Sequence, residues 1–167
     1  MASADSYGPI DEGGTLNISA EDGVLDNDSA PGGVTLTAEL VDAPAYGQLT
    51  LNENGSFSYV HDGGESTADS FTYRASDGSL SSSETTVTIT ITPVNDVPQI
   101  TDQEVVAIFN DETVTLTLEM LTVVDGDNDY ADDFTLNVGD GDNYSHNGAI
   151  ITPANDFSGT LSVPVTV

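Results

Sequence analysis

The chain has 167 residues, of which 29 are acidic and one, Arg74, is basic, so its formal charge is −28 at pH 7. That charge excludes a nucleic-acid backbone as partner, disfavours an anionic membrane surface and makes cations the natural counterparts, with a merely soluble or salt-adapted acidic protein as the plainer reading. Cysteine and lysine are absent, which removes disulfides, thiolate chemistry, Schiff bases and Lys–Asn cross-links, while 37% hydrophobic residues in alternating runs can bury a core as an acidic disordered tail cannot.

No apolar run approaches the length of a membrane span, and no basic, apolar signal segment opens the chain. Met1-Ala2-Ser3 reads as an added start, with any export signal removed. In chain order, the first strand is expected at Thr15-Leu16-Asn17-Ile18-Ser19, where the residues alternate with period two. Val34 to Leu40 and Gln48-Leu49-Thr50-Leu51 repeat the alternation, and Asn54-Gly55 supplies the positive φ for a hairpin into Ser56-Phe57-Ser58-Tyr59-Val60. Ser70-Phe71-Thr72-Tyr73 follows, then a turn at Asp77-Gly78 and the plainest strand of the chain, Thr86 to Thr92, with Val87, Ile89 and Ile91 inward and the threonines outward. Phe57, Tyr59, Phe71 and Tyr73 are read as an aromatic core.

Between Thr92 and Ile100 the pattern breaks. Pro93 and Pro98 fix their own φ, push their predecessors to extended conformations and remove two donors, so the segment reads as a stiff connector between domains. Asn95 and Asp96 within it make either a solvated turn or oxygen ligands for a hard cation. Past Pro98 the series restarts: strands are expected at Glu104 to Ile108, Thr113 to Leu118, Phe134 to Val138 and Thr160 to Val167. This is a loose internal repeat, in which Asp11-Glu12 before Thr15-Leu16 is echoed by Asp111-Glu112 before Thr115-Leu116. The second half aligns with the first only as far as Thr160 to Val167 and lacks a counterpart of the Thr86 to Thr92 strand. The expected organisation is a sandwich over 1–92, a linker over 93–98 and a second, incomplete sandwich over 99–167. An open edge of that kind invites strand addition, from a continuation of the same chain or from another copy.

Asp125-Gly126-Asp127-Asn128-Asp129 places carboxylates at alternate positions around a glycine, a pattern that suits Ca²⁺, which takes roughly six to eight oxygens at about 2.3–2.6 Å. The glycine and glutamate positions of an EF-hand are missing, and a solvated turn is the simpler alternative. His61 and His146 stand alone, without zinc-ligand spacing, and are read as surface residues. No nucleophile elbow is present, and the Asn-x-Ser triplets occur at chance level. No active site emerges.

Asp11-Glu12-Gly13-Gly14-Thr15-Leu16, Gly23-Val24-Leu25-Asp26-Asn27-Asp28, Gly55-Ser56-Phe57-Ser58-Tyr59, the stretch from Asp69 to Gly78, and Thr92-Pro93-Val94-Asn95-Asp96-Val97-Pro98 together resemble the cadherin-like tandem repeats of bacterial surface adhesins and of some secreted polysaccharide-degrading enzymes. The resemblance implies an all-β fold of two Ig-like, cadherin-like Greek-key β-sandwiches. It also implies calcium at the junction, held by Glu12, Asp77, Asn95, Asp96, Asp125 and Asp127. Asp26 and Asp28 would then serve a preceding repeat, and Asp111 and Glu112 a following one. No Asp-Arg-Glu segment surrounds Arg74, and Pro93 stands where vertebrate cadherin linkers carry a ligand aspartate, so one or two ions are expected rather than three. The function implied is a calcium-rigidified, non-catalytic, extracellular spacer or adhesive segment that meets neighbouring repeats. Two alternatives stand beside it: a calcium-dependent carbohydrate-binding module using Tyr130 and Tyr144 as loop aromatics, and strand-swapped homotypic adhesion through the unfinished second half.

Overall fold

A computed structural model of the chain describes residues 1–109, 112–128 and 132–167. Asp111, Asp129 and Tyr130, named above as candidate residues, lie outside the described residues. The chain divides into two compact units, Met1–Val94 and Asn95–Val167.

The first unit contains β1 (Asp5–Asp11), β2 (Thr15–Ile18), a short 3-10 turn (Pro31–Gly33), β3 (Thr37–Asp42), β4 (Gly47–Leu51), β5 (Phe57–His61), β6 (Ala68–Ser76) and β7 (Thr85–Thr92). They form a four-stranded sheet in the order β1-β7-β6-β3 and a three-stranded sheet in the order β2-β5-β4. Period-two alternation drives the packing. On β7 Val87, Ile89 and Ile91 are buried while Thr86, Thr88, Thr90 and Thr92 face water, so each β-branched residue fits one side of the pleat. Phe57, Tyr59, Phe71 and Tyr73 are buried in one cluster with these residues and Val24, as the sequence pattern predicts. Phe57 from one sheet meets Phe71 from the other edge-on with ring centroids 5.5 Å apart, a preferred aromatic geometry that ties the layers together.

Asp69 is the buried charge of this core. Its carboxylate accepts the N–H groups of Ala45, Tyr46 and Ser70 at 3.0, 2.9 and 2.8 Å and the Tyr59 hydroxyl at 2.9 Å, so burial leaves no oxygen unpaired.

Two expectations shift. A strand, β1, precedes the first expected one; Gly8 and Pro9 interrupt its pattern, and its register slips between Tyr7 and Ile10. The strand expected at Val34 to Leu40 begins later, at Thr37, because Gly32 and Gly33 hold positive φ of 82° and 70° and the ladder to β6 starts only at Thr37 opposite Ser76.

Pairing direction decides what meets at each end of this unit. β1 runs parallel to β7, with Asp5 opposite Val87 and Asp11 opposite Thr92, whereas β6 and β7 are antiparallel, with Tyr73 opposite Thr85 and Ala68 opposite Thr90. The distal end, at Thr92, therefore collects the β1–β2 turn and the β5–β6 loop. The proximal end, at Thr85, collects the start of β1 and the β6–β7 turn.

The second unit contains β8 (Gln99–Gln103), β9 (Val114–Thr115), a 3-10 turn (Leu118–Met120), β10 (Leu121–Val124), β11 (Asn137–Val138), β12 (Tyr144–Asn147), β13 (Ile150–Pro153) and β14 (Val165–Thr166). Its ladders are β10-β8, β11-β14 and β12-β13-β9. Here the expected strands are displaced or shortened. β8 begins directly after Pro98, and Val105, in the stretch read as a strand, is 93% exposed. Leu118 opens a 3-10 turn that stops the run from Thr113, and of Phe134 to Val138 and Thr160 to Val167 only two-residue ladders form. Among the described residues of this unit only Val123 and Ile151 are buried apolar side chains.

Candidate metal centre

In the first unit Glu12 follows β1 directly, and its N–H donates to the carbonyl of Thr92 at 3.0 Å, which fixes the residue beside the connector. A carboxylate oxygen of Glu12 and one of Glu65, on the β5–β6 loop, lie within 4.8 Å of each other. Glu12 Oε2 is buried without a hydrogen-bond partner. A buried carboxylate oxygen with no donor is costly, and the proximity of a second carboxylate adds to the cost. A divalent cation offsets both, so this donor set fits calcium, a hard ion that takes oxygen ligands.

Sequence reasoning passed over Glu65. Its only signal is a position four residues after His61 in a polar loop, which by itself says nothing about which end of the sandwich that loop reaches.

His61 corrects an expectation. It is 3% exposed rather than a surface residue. Its Nδ1 accepts the N–H groups of Gly13 at 3.1 Å and Gly63 at 3.3 Å, and its Nε2 stands 2.8 Å from Ser66 Oγ. Polar partners on both ring nitrogens are what make its burial tolerable. His146 is half-buried and stands 3.2 Å from Asp140.

In the second unit the antiparallel ladder sets Val124 opposite Gln99, which returns the loop after β10 to the start of β8 and the connector. The N–H of Asp96 donates to Asp127 Oδ2. Asp125 Oδ1 accepts the N–H groups of Asp127 and Asn128 at 3.0 and 2.8 Å and the Asn128 side chain at 3.0 Å, holding the loop closed. Asp125 Oδ2 is buried and has no partner. Asn95 donates its side-chain amide to the Asp96 carbonyl at 2.7 Å. Backbone bonds thus link Asp96 to Asp127 and Asp127 to Asp125, whose second carboxylate oxygen is orphaned, a hard oxygen of the kind calcium takes.

Asp77 is not part of either group. It follows β6, next to the start of β7, and Thr92 ends that strand after eight residues, roughly 23 Å away at about 3.3 Å per residue. The antiparallel β6–β7 pairing is the reason. Asp77 instead closes its own turn: Oδ1 accepts the N–H groups of Leu80 at 2.8 Å and Ser79 at 2.9 Å, and these bonds hold its carboxyl below the usual carboxylate range.

Asp26 and Asp28 also lie at the proximal end, joined there by Asp5, which the sequence reading omitted. Asp28 accepts Ser3 N–H at 2.8 Å. The Tyr73 hydroxyl stands 2.6 Å from the Val24 carbonyl, 3.0 Å from Asp28 Oδ2, 3.3 Å from Asp5 Oδ2 and 3.4 Å from the Ser3 carbonyl, so one proton faces four acceptors. Asp5 also accepts the Asn27 amide at 2.9 Å. Burial, then the charge of Asp28, push the Asp5 carboxyl up to about 6 against the lowering effect of Tyr73 and Asn27. Burial raises the Tyr73 phenol well above its ordinary value, reinforced by its bond to Asp28.

Glu112 turns back on its own segment, accepting Phe109 N–H at 3.1 Å. Tyr144 is not a loop aromatic: it opens β12, half-buried, and its hydroxyl donates to the Gly139 carbonyl at 2.6 Å. Its ring is also within 2.6 Å of the space a Cβ on Gly141 would fill, so one face is packed against backbone. Among the described residues no helix is long and apolar enough to cross a membrane.

Comparison with solved structures returns cadherin domains. A protocadherin gamma B7 EC3-6 cis-dimer structure is 15% identical, with 92% of this chain and 38% of that one covered and a TM-score of 0.45. Protocadherin gamma B2 extracellular cadherin domains 1-5 are also 15% identical, with coverages of 94% and 32% and a TM-score of 0.48. An endo-fucoidan hydrolase of glycoside hydrolase family 107 is 16% identical, with coverages of 98% and 27% and a TM-score of 0.41. The chain thus spans well under half the length of each of these structures. Comparison with curated proteins finds no match. The sequence model of the bacterial cadherin-like domain covers residues 2–93, more than half of the chain and the whole seven-stranded sandwich built above. The chain belongs to the bacterial cadherin-like domain family.

Proposed function

We propose that this chain is a non-catalytic segment of an extracellular repeat protein whose units are locked in alignment by calcium. The ligands are drawn from Glu12 and Glu65 of the first unit, Asn95 and Asp96 of the connector, and Asp125 and Asp127 of the second unit. The observation that carries the reading is the pair of buried carboxylate oxygens without partners, Glu12 Oε2 and Asp125 Oδ2, one in each unit and both on residues adjoining the connector. Buried carboxylates are found paired or metal-bound, and with one basic residue in the whole chain a cation from solution is the available partner.

Linkage supplies the mechanism. An ion that binds only when its ligands are aligned favours alignment by its own binding energy, about 2.7 kcal/mol per site at a hundred times Kd. Without the ion, clustered carboxylates repel one another across a connector whose prolines stiffen only the local backbone. The proximal set of Asp5, Asp26 and Asp28 would serve a preceding repeat in the same way, and neighbouring repeats of the same chain are the natural partners.

Small-angle scattering tests this directly. With millimolar calcium the length distribution is expected to narrow and extend; with chelator it broadens and shortens. Identical distributions in both conditions would end the proposal.

A further inference from the structure

Two carboxylates that repel each other need something to hold their loops in place before any ion arrives. Glu12 sits on the β1–β2 turn and Glu65 on the β5–β6 loop, far apart in sequence, and both lie outside the β2–β5 ladder, which ends at Thr15 opposite Val60. The imidazole of His61 spans the gap. Gly13, the residue after Glu12, gives its N–H to Nδ1 at 3.1 Å, and Ser66, the residue after Glu65, places its hydroxyl 2.8 Å from Nε2. Gly63 adds a second N–H to Nδ1 at 3.3 Å, and the His61 backbone N–H donates to the Gly14 carbonyl at 3.0 Å. One buried ring therefore bonds the immediate sequence neighbour of each carboxylate.

We infer that His61 is a positioning residue for the calcium site, working as a neutral imidazole that carries its proton on Nε2. Backbone N–H groups can only donate, so two of them on Nδ1 require that nitrogen to be bare. The proton then lies on Nε2 and is donated to Ser66 Oγ. Both ring nitrogens are engaged with the protein, so His61 is not itself a metal ligand; it acts through the turns it clips, as outer partners of metal ligands do. Gly13 and Gly63 hold positive φ of 65° and 86°, a turn conformation that glycine adopts without steric cost. Asp62 Oδ1 stands 3.7 Å from Nε2, and the Tyr59 ring lies 6.4 Å away between centroids.

This inference rests on the calcium reading of Glu12 and Glu65, and the experiment separates the two. The full chain and the variants His61→Phe and His61→Asn are compared by long-range ¹⁵N–¹H correlation of the imidazole, amide exchange at Gly13 and Gly63, and calorimetric titration with calcium alone. Asparagine places an oxygen close to the Nδ1 position and keeps the acceptor. Wild type is expected to show a bare Nδ1 and slow exchange at both glycines. His61→Phe should exchange fast there and bind calcium about tenfold to a hundredfold more weakly, the usual cost of losing an outer partner, while His61→Asn recovers most of the affinity. A proton on Nδ1, unchanged exchange in His61→Phe, or calcium affinity equal to wild type in a folded His61→Phe overturns the inference. If His61→Phe does not fold, His61→Asn decides, and loss of its affinity overturns the inference as well. A wild-type chain that takes up no calcium while showing the expected tautomer and exchange overturns the calcium reading and leaves His61 as a clip between two turns.

Discussion

The N–H of Glu12 meets the carbonyl of Thr92 at 3.0 Å, and this one bond ties the end of the first strand to the end of the last strand of the same sandwich. It exists because β1 pairs parallel to β7, the exception in an otherwise antiparallel unit. Parallel pairing sends an acidic residue from near the N-terminus to the place where the chain leaves the domain. The antiparallel β6–β7 hairpin sends Asp77 the other way.

Calcium affinity should therefore separate these two residues. Glu12→Gln is expected to weaken calcium binding about tenfold or more, since affinity for this ion follows ligand charge. Asp77→Asn should leave it within error. Titration calorimetry on both variants checks the pair, and equal losses would contradict the placement.

Asp5 makes a pH prediction. Its folded-state pKa of about 6 lies above the ordinary 3.8, so the native chain holds this proton more tightly than the unfolded one. The stabilisation from that proton is fully present below pH 3.8 and is lost as pH rises through about 6. Asp5→Asn, which is neutral at every pH, should raise Tm relative to wild type at pH 7.5 in chelator and show little difference at pH 3.5. The gain is modest, because the side chain is only half-buried and water screens it. Thermal melts followed by circular dichroism at the two pH values measure it, and a lower Tm at pH 7.5 would contradict it.

Asp69→Ala should cost about 3 kcal/mol, since it strands buried donors that an apolar side chain cannot satisfy. The donors are the N–H groups of Ala45, Tyr46 and Ser70 and the Tyr59 hydroxyl. Urea denaturation followed by tyrosine fluorescence reads the change. A loss under about 0.5 kcal/mol, the usual range for surface substitutions, would mean that the network contributes nothing.

Phe71→Ala and Thr88→Ala test the two faces of one sheet. Phe71 is 1% exposed and packs edge-on against Phe57, so its truncation should cost about 3–5 kcal/mol. Thr88 points to solvent from β7 and should cost no more than about 0.5 kcal/mol. The same urea titrations give both values.

Much of this molecule could be read from its residues in order. The run from Thr86 to Thr92 announces a strand with one dry face because side chains on a strand alternate strictly, and the aromatic pairs Phe57/Tyr59 and Phe71/Tyr73 follow the same rule. Composition marked Asn95-Asp96 and Asp125 to Asp129 separately as turns or cation sites, and only the resemblance to cadherin-like repeats implied that they serve one junction. In the second unit the same alternation misled: Val105 and its neighbours have the pattern of a strand, yet β8 forms just before them, next to Pro98.

What residue order alone determined was the main core strands of the first unit, the inward side of each and the acidic character of the loops, since these depend on neighbours one or two positions away. Only the tertiary structure decided which loops share an end of the sandwich. That choice put Glu65 beside Glu12, sent Asp77 to the opposite end from Glu12, and buried His61 between two glycine turns. The physical reason is that strand direction within a sheet is settled by pairing between distant segments, and no local pattern of side chains encodes it.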